Sequence, residues 1–174
     1  KQVSPVEVTE TILARIEALN PRLNAFCLVT PDLARAAARE AEIAVMKAEP
    51  LGVLHGVPVS IKDVIFTRGV RSTGGSRLFV DLVPEGDALA VGRIRATGGV
   101  IVGKTTTSEF GHKGITESPL FGVSRNPWNL ALTPGGSSGG GAAAVASALG
   151  PLALGTDGGG SVRIHKADVH AKGF

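Results

Sequence analysis

Tyrosine is absent from these 174 residues, cysteine, methionine and tryptophan occur once each, and aromatic side chains make up only 4%. A core built from this chain must therefore come from Val, Leu, Ile and Ala. The single cysteine, Cys27, excludes an internal disulfide and a cysteine-based zinc site, and it suits a reducing compartment. No apolar run approaches the ~20 residues that cross a bilayer, and no signal-peptide pattern opens the chain. Charge of one sign is nowhere concentrated. The 18 basic and 15 acidic residues give a formal charge of +3, too mild and too dispersed for a nucleic-acid surface. These absences point to a cytoplasmic protein with no direct nucleic-acid or membrane partner. The first residue is Lys1, which reads as a missing native start.

What is present is a globular balance, 43% apolar against 19% charged, in a length that supports one domain with a core. Glycine is over-represented at 24 residues. It concentrates in two clusters, 135–141 and 158–160, joined by an apolar segment rich in alanine.

Taken in order, Ser4, Pro5 and Glu7 form a capping box with proline at the first helical position. Val8, Ile12, Ile16 and Leu19 then recur at helical spacing, and Asn20-Pro21 reads as the helix end. A second helix is expected from Pro31 to about Ala48, alanine-rich and packed on something flat. From Leu51 to Asp63 the period changes to two, with Val57, Val59 and Ile61 on one face and Ser60 and Lys62 on the other. A lysine ending such a strand, taken alone, reads as a residue reaching out to solvent. A helix over about 87–98, a buried strand at Val100–Val102 and a short helix capped by Thr107 follow. The segment 114–133 has little pattern, and Trp128 reads as a packing lid. An uncharged helix over 139–149, buried on all sides, and a strand at Leu152–Leu154 complete the pattern. Helices alternating with short apolar strands argue for a layered α/β fold.

Gly98-x-x-x-x-Gly103-Lys104-Thr105 matches the phosphate-binding Walker A pattern letter for letter. In a true phosphate loop the strand precedes the first glycine. Here Val100, Ile101 and Val102 occupy the loop positions and read as the strand itself, with Gly98 ending the preceding helix. Nucleotide binding is not expected at this site.

The first glycine cluster is followed at once by an apolar helix, so it reads as an anion-accepting helix start rather than a linker. Gly158-Gly159-Gly160-Ser161 lies outside the G-x-S-x-G nucleophile pattern. Its consecutive N–H groups suit an oxyanion hole. None of His55, His112, His165 and His170 forms a metal-ligand pattern or stands where a triad base would. A nucleophilic Ser161 therefore needs another base.

The stretches G-V-P-V-S-I-K-D at 56–63, P-G-G-S-S-G-G-G at 134–141 and G-T-D-G-G-G-S-V-R at 155–163 resemble the amidase signature family. The likeness extends through S-P-V-E-V-T at 4–9, G-K-T-T-T-S-E-F at 103–110 and N-P-W-N at 126–129. It covers about residues 1–164. The resemblance implies a layered mixed β-sheet flanked by helices, a single partial domain over 1–174, and hydrolysis of a small-molecule amide with no cofactor or metal. It implies a serine–cis-serine–lysine triad: Lys62 as the base, Ser137 as the cis-serine and Ser161 as the nucleophile forming an acyl-enzyme. It also implies an oxyanion hole from Gly158, Gly159, Gly160 and Ser161, with Ser138, Asp157 and Arg163 supporting. The chemistry is consistent, since burial of Lys62 among Val59, Ile61 and Val64 would disfavour its ammonium form and make a base of it.

After Ile164 the sequence departs from the family pattern, which continues with a proline–alanine step. Members are more than twice this length, and their further half carries more strands and most of the substrate pocket. The expectation is an N-terminal part of such an enzyme, with the C-terminal half missing. Two other readings go with the resemblance: the glutaminase subunit of a tRNA-dependent amidotransferase, and a truncated inactive amidase. The resemblance leaves room for a homodimer.

Overall fold

The computed structural model of the chain describes residues 3–168. Helix α1, Pro5–Leu23, starts at the expected capping box: Ser4 Oγ accepts from the Glu7 N–H at 3.1 Å, and the Glu7 carboxylate accepts from the Ser4 N–H at 2.9 Å. The helix does not stop at Asn20-Pro21. Pro21 sits inside the last turn, and the end comes at Asn24 in the left-handed conformation, whose N–H bonds Asn20 O. The Asn20 side chain instead collects the next segment, its Oδ1 accepting from the Ala25 and Phe26 N–H groups and its Nδ2 donating to Phe26 O. That clasp launches β1, Phe26–Val29, a strand too short and too uniformly apolar to announce itself by alternation.

Helix α2 follows at Pro31–Met46, with Ala34, Ala38 and Ala41 buried. Their small side chains let it lie close to the sheet, as expected. Strand β2 is shorter than the period-two stretch, Pro58–Lys62, because residues before it form turns. Helix α3, Leu89–Ala96, likewise starts after Asp87, whose carboxylate is held by the Arg68 N–H and by Arg95. Gly98, at φ +80°, ends α3 in the left-handed conformation that a side chain would strain. Strand β3 runs Val100–Thr105 and contains the lysine of the Walker-like pattern. A short 3₁₀ turn at Glu109–Gly111 is preceded by Ser108 rather than Thr107. The 114–133 segment holds a small hairpin, β4 (Glu117–Ser118) and β5 (Gly122–Val123). Helix α4, Gly139–Ala146, strand β6, Leu152–Leu154, and helix α5, Ser161–Asp168, complete the element order. Helix α4 is buried through Ala144, but its last turn is partly exposed, so burial on all sides does not hold along its length.

The main sheet has the order β1-β3-β2-β6, with β1 antiparallel to β3 and the other neighbours parallel. It is the layered mixed sheet flanked by helices that the family resemblance implied. One core face packs α1, α2 and α4 against Val100 and Val102. The other packs Val91 of α3 against Val59, Ile61 and Ile101. Every residue of β2 is buried.

A register shift between Val59 and Ser60 pairs Ile61 with Lys104 and Lys62 with Thr105. Cross-strand partners share a face. The bulge therefore sends the two strand-end lysines to opposite sides of the sheet. Lys104, with no exposed surface, donates to Ile65 O at 2.6 Å, Ser72 Oγ at 2.6 Å and Thr67 Oγ1 at 3.1 Å. It fastens the loop after β2 and stands nowhere near a phosphate-binding turn. No described helix is long and apolar enough to cross a membrane.

Candidate active site

The carboxyl ends of β2 and β6 and the amino ends of α4 and α5 meet at one point, where a strand-end residue can touch two helix starts. Lys62, the last residue of β2, is fully buried rather than reaching solvent. Its Nζ donates to Ser137 Oγ at 2.7 Å, Ser138 Oγ at 2.8 Å and Thr156 Oγ1 at 2.8 Å, and lies 3.5 Å from Ser161 Oγ. Burial pulls its pKa down to about 8, with the Asp157 charge acting in the opposite sense.

Ser137 and Ser138 come from the loop into α4, and the Gly136–Ser137 peptide bond is cis. The glycines here are required by close approach. A Cβ on Gly136 would lie 2.3 Å from the Ile115 backbone nitrogen, and one on Gly140 would lie 2.2 Å from Thr106 Oγ1 and 2.6 Å from Ala25 O. The loop and the helix start are thereby pressed onto the sheet end.

Ser161, at the start of α5, is buried, and its Oγ accepts from the Ser138 N–H at 2.9 Å. It stands 3.2 Å from Ser137 Oγ and 2.7 Å from Ser138 Oγ. The two bridging hydroxyls are not equivalent. Ser138 Oγ donates to Thr156 O at 3.2 Å, whereas Ser137 Oγ has only Lys62 and Ser161 as partners among the described residues. Both hydroxyls therefore touch Lys62 Nζ and Ser161 Oγ, and Ser138 alone also bonds a backbone carbonyl.

Asp157 organises the turn before Ser161. Its carboxylate accepts from the Gly160 N–H at 2.7 Å and the Val162 N–H at 3.2 Å, and takes a bidentate hydrogen bond from Arg163, 3.0 Å on each arm. The Arg163 guanidinium holds the Asp157 carboxyl well below the usual carboxylate range. The Gly160 N–H is thus turned to Asp157. Gly158 and Gly159 are exposed, and their N–H groups have no protein acceptor among the described residues. His55 and His112 lie outside the cluster, each bonded to a backbone carbonyl, Ala41 O and Glu109 O. His170 lies outside the described residues, as does the side chain of His165. No group of three potential metal ligands occurs among the described residues.

Two contributors were not singled out from sequence. Thr156 shares the Lys62 amine, and its only signal was its place between an apolar strand and the serine-bearing turn. Gly111 was also missed, although a Cβ there would lie 3.5 Å from Ser137 Oγ and 3.8 Å from Lys62 Nζ. Beside the site, Asp63 turns its carboxylate away to the Thr73 side chain and N–H and the Gly75 N–H.

The site is a buried amine shared by serine hydroxyls at the end of a mixed sheet flanked by helices. The chain belongs to the amidase family, whose model, described as Amidase, matches residues 7–164. It is 48% identical over 163 residues to the A subunit of a glutamyl-tRNA(Gln) amidotransferase from Geotalea daltonii, covering 94% of this chain and 33% of that protein. The structure superposes on a bacterial aryl acylamidase of the amidase signature enzymes with a TM-score of 0.91 and 40% identity, over 95% of this chain and 35% of that one. With the A subunit of the glutamyl-tRNA(Gln) amidotransferase of Thermotoga maritima the TM-score is 0.78 at 36% identity, over 92% of this chain and 33% of that one. The chain therefore spans about a third of the length of these relatives.

Proposed function

We propose that the protein carrying this chain is an amide hydrolase that works through a Ser161 acyl-enzyme. Lys62 in its neutral form draws a proton from Ser137, which draws one from Ser161. The Ser161 oxygen bonds to the amide carbonyl carbon as the carbon–nitrogen bond breaks, and the departing nitrogen takes the proton back through Ser137. Water then repeats the sequence against the acyl-enzyme, releasing the acid and restoring Ser161. In this reading the exposed Gly158 and Gly159 N–H groups and the positive start of α5 would hold the carbonyl oxygen as it becomes negative. The observation that carries this reading is the run of contacts from Lys62 through Ser137 to Ser161, 2.7 and 3.2 Å.

A fluorophosphonate probe, which phosphonylates activated serines, is expected to label the intact protein at Ser161 and to leave Ser161→Ala unlabelled. Equal labelling of the two proteins rejects the assignment. A second reading, the glutaminase subunit of a tRNA-dependent amidotransferase, is favoured by the 48% identity to a component of such an enzyme. Ammonia release from glutamine that requires companion subunits would select it, and turnover of simple amides by the protein alone would select the first. The closer superposition on the aryl acylamidase favours the stand-alone amidase.

A further inference from the structure

Asp63 follows Lys62 directly in the chain and is itself buried, 1% exposed. Three consecutive N–H groups of the loop at 73–75 end on it. The Thr73 and Gly75 N–H groups donate to its carboxylate at 3.1 and 3.4 Å, and the Gly74 N–H donates to its carbonyl oxygen at 3.3 Å. The Thr73 hydroxyl adds a short hydrogen bond of 2.5 Å to the same carboxylate. Gly74 and Gly75, at φ +62° and +71°, supply the left-handed turn that lets these groups converge. The loop then reaches across to the segment beside the site. Gly74 O accepts from the Phe110 N–H at 2.8 Å, and a Cβ on Gly75 would lie 3.2 Å from Thr107 O and 3.0 Å from Ser118 Cβ. Phe110 needs such a hold, since φ +52° is a left-handed conformation costly for a bulky side chain. Next to it, a Cβ on Gly111 would lie 3.8 Å from Lys62 Nζ and 3.5 Å from Ser137 Oγ. The path starts at the backbone beside the base and returns to its amine.

Resting on the acyl-enzyme reading above, we infer that Asp63 is a positioning residue for the base: through Thr73 and Gly74 it holds the turn at 109–111 against Lys62 Nζ and keeps water from the amine. A lysine serves as a base near neutral pH only while its charged form is poorly solvated. Three hydroxyl oxygens take the hydrogen bonds of Nζ, and Gly111 brings the turn against it in place of solvent. Asp63 acts here through the loop and not by its charge. The charge that acts on the amine is that of Asp157, on the loop before α5, and Arg163 is spent on Asp157. Of the other packed elements, α4 carries no charged residue, and Lys104 lies on the opposite face of the sheet with its charge towards Asp63. Glu109 and His112 flank the turn, His112 Nδ1 bonded to Glu109 O. The two modes of action differ in sign. A carboxylate acting by charge would hold the amine protonated, whereas one that keeps water out favours the neutral form.

The test follows the rate constant for labelling of Ser161 in the intact protein by a neutral alkyl fluorophosphonate, from about pH 6 to about pH 10.5. Thr73→Val removes the hydroxyl donor without changing any charge, and Asp63→Asn weakens the whole clamp. Both should move the acid limb to higher pH, so that labelling at about pH 7, relative to the high-pH plateau, falls about three- to tenfold. Thr73→Ser keeps the donor and should keep the wild-type limb. The position of the limb is read from rate constants, so a smaller folded fraction does not imitate the shift. If Asp63→Asn fails to fold, Thr73→Val carries the test by itself. A limb that stays in place in Thr73→Val leaves the clamp a structural role only, and a limb that moves to lower pH in Asp63→Asn makes Asp63 a partner by charge. Either result overturns the proposal and leaves the acyl-enzyme intact. A wild type that is not labelled at Ser161 overturns the acyl-enzyme reading itself.

Discussion

Thr156 Oγ1 and Lys62 Nζ are 2.8 Å apart, which makes a threonine on the loop that leads to Ser161 the third oxygen around the buried amine. An ammonium with three oxygen acceptors is stabilised against its neutral form, and here this opposes the effect of burial. Thr156→Val keeps the shape and removes that acceptor. The pKa of Lys62 should fall further, moving the acid limb of the kcat/KM profile to lower pH, while kcat drops about tenfold as the amine loses one of its anchors. Thr156→Ser should restore the wild-type profile. An unshifted limb in Thr156→Val would show that the threonine only fills space.

With the Lys62 pKa at about 8, the sign of the pH dependence is fixed. In the mechanism proposed above the base must be neutral, and the Lys62 pKa lies below the ordinary lysine value, so below about pH 8 activity should rise about tenfold per unit and level off above it. At about pH 7 only ~10% of molecules carry the active form. Lys62→Met should abolish this limb together with about 10²-fold or more of kcat. The measurement is kcat/KM for a neutral amide between about pH 5.5 and 9.5, a range that brackets the Lys62 value. A limb centred near the ordinary carboxylate or histidine range would assign the base elsewhere.

How far the sequence reveals this site differs residue by residue. Lys62, Ser137 and Ser161 lie far apart in the chain, and only a long ordered motif set pointed to them together. Spacing alone left Lys62 as a solvent-seeking strand end, because burial depends on what covers the strand and not on the strand. The glycines of 135–141 were legible as a helix start, yet the reason for two of them is a neighbour distant in sequence, Ile115 for Gly136 and Thr106 for Gly140. Strand β1 escaped because four apolar residues between two helices carry no period. The bulge that separates the faces of Lys62 and Lys104 is a cross-strand register event, invisible in either strand read singly.

Lys104 tests the Walker-like pattern directly. Its ammonium is the shared donor for Ile65, Thr67 and Ser72, and the Asp63 charge is nearby. Lys104→Met leaves those oxygens without their donor and should cost about 2–4 kcal/mol. Burial lowers its pKa to about 8, so between there and the ordinary value the unfolded chain binds more protons than the folded one. Wild-type stability gains with pH over that window and the variant lacks this contribution, so the difference should widen from about pH 7 to about pH 9. Nucleotide should leave the melting temperature of both proteins unchanged. A nucleotide-dependent rise that Lys104→Met removes would restore the phosphate-loop reading.

The tight entry to α4 makes the most demanding prediction about packing. A methyl group on Gly140 would penetrate Thr106 Oγ1 at 2.2 Å and the backbone oxygen of Ala25 at 2.6 Å. Threonine could rotate away, but Ala25 O already accepts the Thr106 N–H at 2.9 Å, so the backbone contact cannot relax without breaking the end of the sheet. Helix propensity favours alanine over glycine by up to ~1 kcal/mol, and overpacking of this kind costs about 1–3 kcal/mol or more. The clash should win. Gly140→Ala should lower the unfolding free energy in denaturant titration and also reduce kcat, because Ser137 and Ser138 enter the site through the same turn. Gly158→Ala, where a Cβ meets nothing within 4 Å, should leave the unfolding midpoint where it is. Equal stability of the two variants would mean that the helix start is free to shift, and that the short distances to Ser161 do not depend on it.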